Sequence, residues 1–346
     1  VLTIVFLLFG KPLLMMFGAS NGTIEYAWSY LAIYVCGTIF VQLALGLNMF
    51  ITTQGFASKA MVTVLIGAGL NTILDPIFIY GFHLGVQGAA YATIISQAVS
   101  AFWVLRFLTG NKTSLKIKVS NMRISWKIVF PIVALGLSPF IMQSTESILN
   151  ICFNTSLQKY GGDLAVGTMT ILSSVGQLLI LPLQGITQGA QPIISFNYGA
   201  GKSDRVKQAI KIQLIICISF TTLVWALIEL FPTVFIRIFN SKEELLTLAT
   251  WALRVYAGGM FMMGAQIACQ QSFVALGQAK TSLLLACLRK LVLLIPLIYI
   301  LPQFMDNKVL AVCLAEPVSD SLAATITSLT FAISIKKLLD KRIMND

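Results

Sequence analysis

Two carboxylates stand far inside unbroken apolar sequence. An ionisable group in that setting costs at least about 2.5 kcal/mol on insertion scales, so each is a candidate for chemistry. The first is Asp75, in the run Asn71-Thr72-Ile73-Leu74-Asp75-Pro76. A spacing of four residues puts the Asn71 amide and the Asp75 carboxylate on one helix face, and Pro76 removes a backbone donor beside them. A carboxylate, an amide oxygen and a freed carbonyl are hard oxygen ligands suited to Na⁺, and the carboxylate alone can take H⁺. The competing reading is a kinked helix with a buried, neutral Asp. The second carboxylate is Glu146. Gln143, Glu146, Asn150 and Asn154 follow one another at spacings of 3, 4 and 4, a polar stripe turned away from lipid. Such a stripe either lines a substrate passage or glues helices together.

Glu316 and Asp320 are again four residues apart, and Arg289 and Lys290 lie toward the cytoplasmic end of the neighbouring apolar run. The four residues form a structural ion pair, or the bases snorkel to the surface. Gln177, Gln184, Gln188, Gln191, Gln266, Gln270 and Gln271 can hydrogen-bond a ligand without demanding one charge state; Gln177, Gln266 and Gln270 extend the candidate passage, although helix contacts account for many such amides equally well. His83 sits beside an outer turn and is assigned no role. The six cysteines (Cys36, Cys152, Cys217, Cys269, Cys287, Cys313) lie in apolar runs without C-x-x-C spacing, which speaks against disulfides and zinc. The sequence holds no G-x-x-x-x-G-K-[ST], H-E-x-x-H or G-x-S-x-G, so ATP drive, familiar hydrolytic chemistry and enzyme activity are not expected.

The elements that position these residues are dictated by composition. The 346 residues are 57% hydrophobic and 11% charged, whereas a soluble domain carries about 25% charged residues. The expected class is an all-α polytopic membrane protein. Ten apolar runs, roughly 1–17, 26–52, 61–82, 86–108, 128–157, 165–196, 212–239, 245–274, 282–301 and 309–335, are candidate spans. The net charge of +11 is a matter of placement. Alternate connections hold Lys59; Lys112, Lys116, Lys118, Arg123 and Lys127; Lys202, Arg205, Lys207 and Lys211; Lys280; and Lys336, Lys337, Lys341 and Arg342. The other connections hold Lys159, Lys242 and Lys308. Fifteen against three puts the first set in the cytoplasm. The basic charge is then a topology signal with some attraction to anionic headgroups, and no nucleic-acid partner is needed.

The chain also matches itself. At an offset of 222 residues Leu31, Tyr34, Gly37 and Gly55 meet Leu253, Tyr256, Gly259 and Gly277; the offset becomes 220 at Pro76 and Pro296, then 223 for Ala92, Ser96 and Ala101 against Ala315, Ser319 and Ala324. A weak repeat in a membrane protein points to the duplicated halves of a secondary transporter. The partners of the spans 128–157 and 165–196 would precede Val1, so the expected whole has twelve spans in two six-helix lobes related by a pseudo-two-fold axis. This chain would hold about ten, as four and six. The expected organisation is residues 1–110 as the remainder of the first lobe, 111–127 as a cytoplasmic linker and 128–346 as the second lobe.

Asn71-x3-Asp75-Pro76, Gly88-Ala89-Ala90-Tyr91-Ala92-Thr93 with Ser96-Gln97, and Gln188-Gly189-Ala190-Gln191-Pro192 running to Phe196-Asn197-Tyr198-Gly199-Ala200 resemble the multidrug and toxic compound extrusion (MATE) family, over essentially the whole chain and its spans three to twelve. The resemblance implies a cell-membrane antiporter that exports organic cations and other amphipathic drugs against entering Na⁺ or H⁺, with no cofactor and as a monomer in the bilayer. It implies a cation site at Asn71, Asp75 and Thr93. Some members place acids on spans seven and ten; Glu146 matches the first, and the second falls among Gln266 to Gln271. The related alternatives are a flippase for lipid-linked precursors, which should need a cationic cavity, and, remotely, a membrane-embedded enzyme.

Overall fold

Lipid offers the backbone no hydrogen-bond partner, so apolar runs of this length must satisfy their amides internally as helices. The computed structural model describes residues 2–16, 24–111, 113–117, 123–239 and 243–343, and among them every regular element is helical. The chain divides into two compact units, Val1–Ile124 and Ser125–Asp346.

Unit 1 contains α1 (Leu2–Met16), α2 (Ile24–Cys36), α3 (Thr38–Thr53), α4 (Ala57–Pro76), a π-helical segment π1 (Ile77–Gly81) and α5 (Gly85–Thr109). Small residues let its helices approach closely, as in other lipid-embedded bundles. A Cβ on Gly67 of α4 would lie 2.7 Å from the Ser100 hydroxyl of α5, and that hydroxyl donates to the Thr63 carbonyl at 3.1 Å. Ile51, Ala60, Val104 and Leu108 form a small buried cluster. The start of the basic connection is fastened to this unit: the Gln54 side-chain oxygen accepts from the Thr113 hydroxyl at 2.6 Å and from the Ser114 and Leu115 amides at 3.0 and 3.1 Å. Large apolar side chains such as Met61, Leu65, Ile73 and Phe102 are exposed, as befits surfaces solvated by lipid.

Unit 2 contains α6 (Trp126–Gly199), α7 (Ser203–Leu230), α8 (Pro232–Phe239), α9 (Glu243–Ala257), α10 (Met260–Ala275), α11 (Ala279–Cys287), π2 (Leu288–Leu294), α12 (Ile295–Phe304) and α13 (Lys308–Ile343). Its main apolar core runs from Leu149 and Phe153 on α6 through Leu253 on α9 to Val312 and Ala315 on α13. Among the described residues six helical stretches are long and apolar enough to cross a membrane, or up to eight if the bent pairs α2/α3 (53°) and α9/α10 (45°) each count once. The apolar runs of the sequence predict ten. The difference has two sources. α1 is only 15 residues long, and the runs 128–157 and 165–196 are parts of one 74-residue helical stretch. That stretch is broken at Gly162, whose φ of 62° and ψ of −158° belong to a region open essentially to glycine alone. Residues on either side of the break meet across it: Asn150 and Asn154 share one small cavity with Thr170, Ser173 and Gln177. α6 is therefore a helical hairpin of two antiparallel limbs.

The internal repeat is present in the geometry of both units. α2 and α3 bend at Gly37, and α9 and α10 bend at the glycine 222 positions later, Gly259. A Cβ on Gly37 would strike Ile94 of α5, and one on Gly259 would strike Pro317 of α13, 223 positions after Ile94. α3 ends before Gly55 at φ 87°, and α10 before Gly277 at φ 76°. The Asn48 amide donates to the Ala60 carbonyl at 3.1 Å, and Gln270 repeats the bond to Ser282 at 3.3 Å, both 222 residues on. The span that follows holds a π segment in each unit but at different places, after Pro76 in unit 1 and before Pro296 in unit 2, so this feature is not part of the repeat.

Candidate functional site

In unit 2 the hairpin, α9, π2 and α13 enclose a cavity of about 490 Å³. The first limb of α6 contributes Gln143, Glu146, Ser147 and Asn150, and the second contributes Ser173, Gln177 and Gln184. Each set recurs at helical spacing and so falls on one face. Gly176 adds no side chain, leaving the space open toward Tyr256 of α9. The opposite wall is charged: Arg289 and Lys290 from π2 and Glu316 from α13. A π turn spaces consecutive side chains more closely around the helix axis than an α turn does, and such segments recur at functional sites. Here it lets two adjacent bases face one cavity.

The charges are paired. The Arg289 Nε donates to Asp320 Oδ1 at 2.6 Å, and its Nη2 donates to Glu316 Oε1 at 3.3 Å. The side chains of Arg289, Glu316 and Asp320 are only 14%, 14% and 3% exposed. One turn of α13 supplies both carboxylates, and Ser319 between them donates to the Arg289 carbonyl at 2.9 Å, fixing π2 against α13. The Lys290 ammonium donates to Glu146 Oε1 across 144 residues of sequence; Lys290 is 12% exposed and Glu146 49%. Lys290 is the eleventh residue of the 25-residue span Lys280–Phe304, so it pairs at the level of the polar stripe and does not snorkel to an end. Three carboxylates therefore meet two bases, leaving the cluster one positive charge short.

Gln143, Glu146, Asn150 and Gln177 thus line one cavity, and Asn154 lines the small one beside it. Gln266 and Gln270 do not. They are 1% and 8% exposed in the packing of α10, and Gln270 is committed to the Ser282 carbonyl; the face of α10 that carries them turns to neighbouring helices. The cavity also takes in Tyr256, Ser147 and Ser173, which sequence reasoning misses. Tyr256 is visible there only as one of the repeat identities, and the two serines carry no signal of their own.

Unit 1 has a cavity of about 190 Å³ between α3, α4 and α5, lined by Asn48, Gly67, Ala68, Asn71, Thr93 and Gln97 among others. Asn71 and Thr93 come together there, while Asp75 is reached through Asn71, whose Nδ2 donates to Asp75 Oδ1 at 3.1 Å. The Thr93 hydroxyl spends its proton on the Ala89 carbonyl at 2.9 Å, so toward the cavity it can offer only lone pairs. At the repeat offsets, Gly67 and Ala68 stand where Arg289 and Lys290 stand, and Thr93 and Gln97 where Glu316 and Asp320 stand. Corresponding places in the two units are hollow, and only that of unit 2 is charged.

The MatE family model matches residues 139–300, which include most of α6, α9, α10 and π2. The multidrug export protein MepA of Staphylococcus haemolyticus is 26% identical over 329 residues, 94% of this chain and 72% of that protein. MepA of Staphylococcus aureus is 26% identical over 302 residues, 87% of this chain and 66% of its own length. A MATE crystal structure in the bent conformation superposes with a TM-score of 0.89 at 25% identity, covering 99% of this chain and 76% of that one. A MOP superfamily transporter from Pyrococcus furiosus, described with a reverse-polarity binding pocket that suggests a different function, superposes with a TM-score of 0.90 at 25% identity, covering 97% and 75%. This chain is a multi-pass protein of the cell membrane, and over nearly its whole length it is similar to multidrug export proteins and to transporters of the MATE family.

Proposed function

We propose that the protein exports drug-like amphipathic substrates by cation-coupled antiport, with the unit 2 cavity as the substrate site. The observation that carries the reading is the cavity itself: about 490 Å³ of space, amide-lined on one wall and charged on the other, inside helices built for lipid. That volume is within the range of about 300–1,000 Å³ typical of small-molecule sites. The relatives named multidrug export proteins support the direction and the substrate class. Asn71, Asp75 and Thr93 are the proposed site of the coupling ion; carboxylate, amide and hydroxyl oxygens fit Na⁺, and Asp75 fits H⁺. Each ligand shifts the population of inward- and outward-facing states by its differential affinity for them.

Reconstituted vesicles loaded with a fluorescent cation test this reading. Imposing a Na⁺ or pH gradient should drive the cation across the membrane, and movement indifferent to both gradients would remove the antiport mechanism. The flippase reading, which needs a cationic cavity, gains one observation, because Arg289 and Lys290 both line this one. Both are already held by carboxylates that outnumber them, so the site does not offer the net positive charge a pyrophosphate requires.

A further inference from the structure

We propose that Lys290 is a resident occupant of the substrate-cation subsite on Glu146, a tethered ammonium that a cationic substrate displaces onto Glu316. This rests on the export reading and assigns its charge selectivity to one residue. Arg289 cannot play the part: it is held by two carboxylates and nearly enclosed. Among the described residues Lys290 has one side-chain ion pair, and its partner Glu146 is half exposed. The two come from different elements, π2 and the first limb of α6, so parting them unfolds neither helix.

Charge balance says where Lys290 goes. With Asp320 satisfied by Arg289, Glu316 has only the longer 3.3 Å contact to the same guanidinium. Glu316 lines the same cavity as Lys290, and opposite charges sharing a water-poor cavity attract each other. A substrate cation that takes Glu146 frees Lys290, Lys290 takes Glu316, and three carboxylates then face three positive charges. Each charged side chain keeps an opposite partner at either end of the exchange, and the resting deficit of one positive charge is filled by the substrate. Around the exchange, Gln143, Asn150, Gln177 and Gln184 offer amides that can donate or accept as the guest requires. The corresponding positions in unit 1, Gly67, Ala68 and Thr93, carry no charge, so this device belongs to unit 2 alone.

The test is binding of rhodamine 6G, a lipophilic cation, to the purified full chain in nanodiscs, followed by fluorescence polarisation. Lys290→Gln removes the resident competitor, and Kd should fall about tenfold, as it does when a larger fraction of the protein is competent to bind. Glu316→Gln removes the receiving carboxylate, so displacement strands Lys290 and Kd should rise by about tenfold or more. Combining Lys290→Gln with Glu316→Gln should return the affinity to the parental value or better, because nothing is left to strand. The double variant Lys290→Gln with Glu146→Gln keeps the pair matched for folding and should lose the cation. An unchanged or weakened affinity in folded Lys290→Gln overturns the proposal, as does failure of the first double variant to rescue Glu316→Gln. If the parental chain itself does not bind the dye, the export reading fails as well, so the two failures are distinguishable.

Discussion

Arg289 answers for two carboxylates at once, so it is the residue whose loss the fold should feel most. Arg289→Met removes the base that Asp320 and Glu316 share, and breaking a buried pair from one side costs about 3–5 kcal/mol. A melt in detergent should show Arg289→Met falling well below the parent, with Asp320→Asn, which retains a hydrogen-bond acceptor for the guanidinium, between the two. Asp75 is a different case. Its carboxylate meets Asn71 alone among the side-chain bonds seen, so Asp75→Asn should fold normally and yet abolish gradient-driven export if Asp75 holds the coupling ion. Export at the parental rate in vesicles with an imposed Na⁺ or pH gradient would leave Asp75 as a kink residue. The sequence makes these residues visible because ionisable groups in apolar runs are few. It cannot show that Lys290 meets Glu146, because a partner 144 residues away is set by how the hairpin and π2 pack. Nor can it separate Gln177, which faces the cavity, from Gln266 and Gln270, which face helices, since an amide's type is the same in either place.

At the scale of elements the telling residues are glycines, which divide by what surrounds them. Gly259 lets α9 and α10 turn against α13: a Cβ there would lie 2.9 Å from the Pro317 carbonyl oxygen and 3.0 Å from its Cα. Backbone cannot rotate out of the way, so Gly259→Ala should cost about 1–3 kcal/mol as overpacking. Gly162 has open space around it but a backbone conformation that side chains avoid, so Gly162→Ala should cost a similar amount, about 1–3 kcal/mol, through strain. Gly46, inside α3 with nothing within 4 Å of an added Cβ, is the control. Gly46→Ala should gain about 0.5–1 kcal/mol from helix propensity. Melting temperatures of the three variants in one detergent give the order, and a stable Gly259→Ala would show that the bend does not need the close approach. Hydropathy locates the apolar runs in sequence but not the join between 128–157 and 165–196. Residues 158–164 read as a loop because they gather Lys159, Gly161, Gly162 and Asp163, whereas helix continues through them except at Gly162 itself.

For the whole molecule the repeat is the most legible feature, because a duplicated unit must rebuild the same local contacts. The identities at Gly37 and Gly259, and at Gly55 and Gly277, mark one bend and one helix end made twice. The matching amide bonds of Asn48 and Gln270 are invisible in the sequence, since Asn and Gln are not identical and their acceptors are backbone. On this basis we propose that the two compact units are duplicated halves that have diverged in charge, unit 1 keeping a neutral cavity and unit 2 acquiring a charged one. Orientation rests on the fifteen basic residues against three, and the positive-inside rule weighs Lys and Arg in short loops near span ends. Ser114, in the basic connection fastened to Gln54, and Asn307, between α12 and α13, are both exposed and lie on opposite sides in that topology. In a background with the six native cysteines replaced, a membrane-impermeant maleimide applied to intact cells should label Asn307→Cys and leave Ser114→Cys unmodified until the membrane is opened. The reverse pattern would invert the protein and turn the proposed export into uptake.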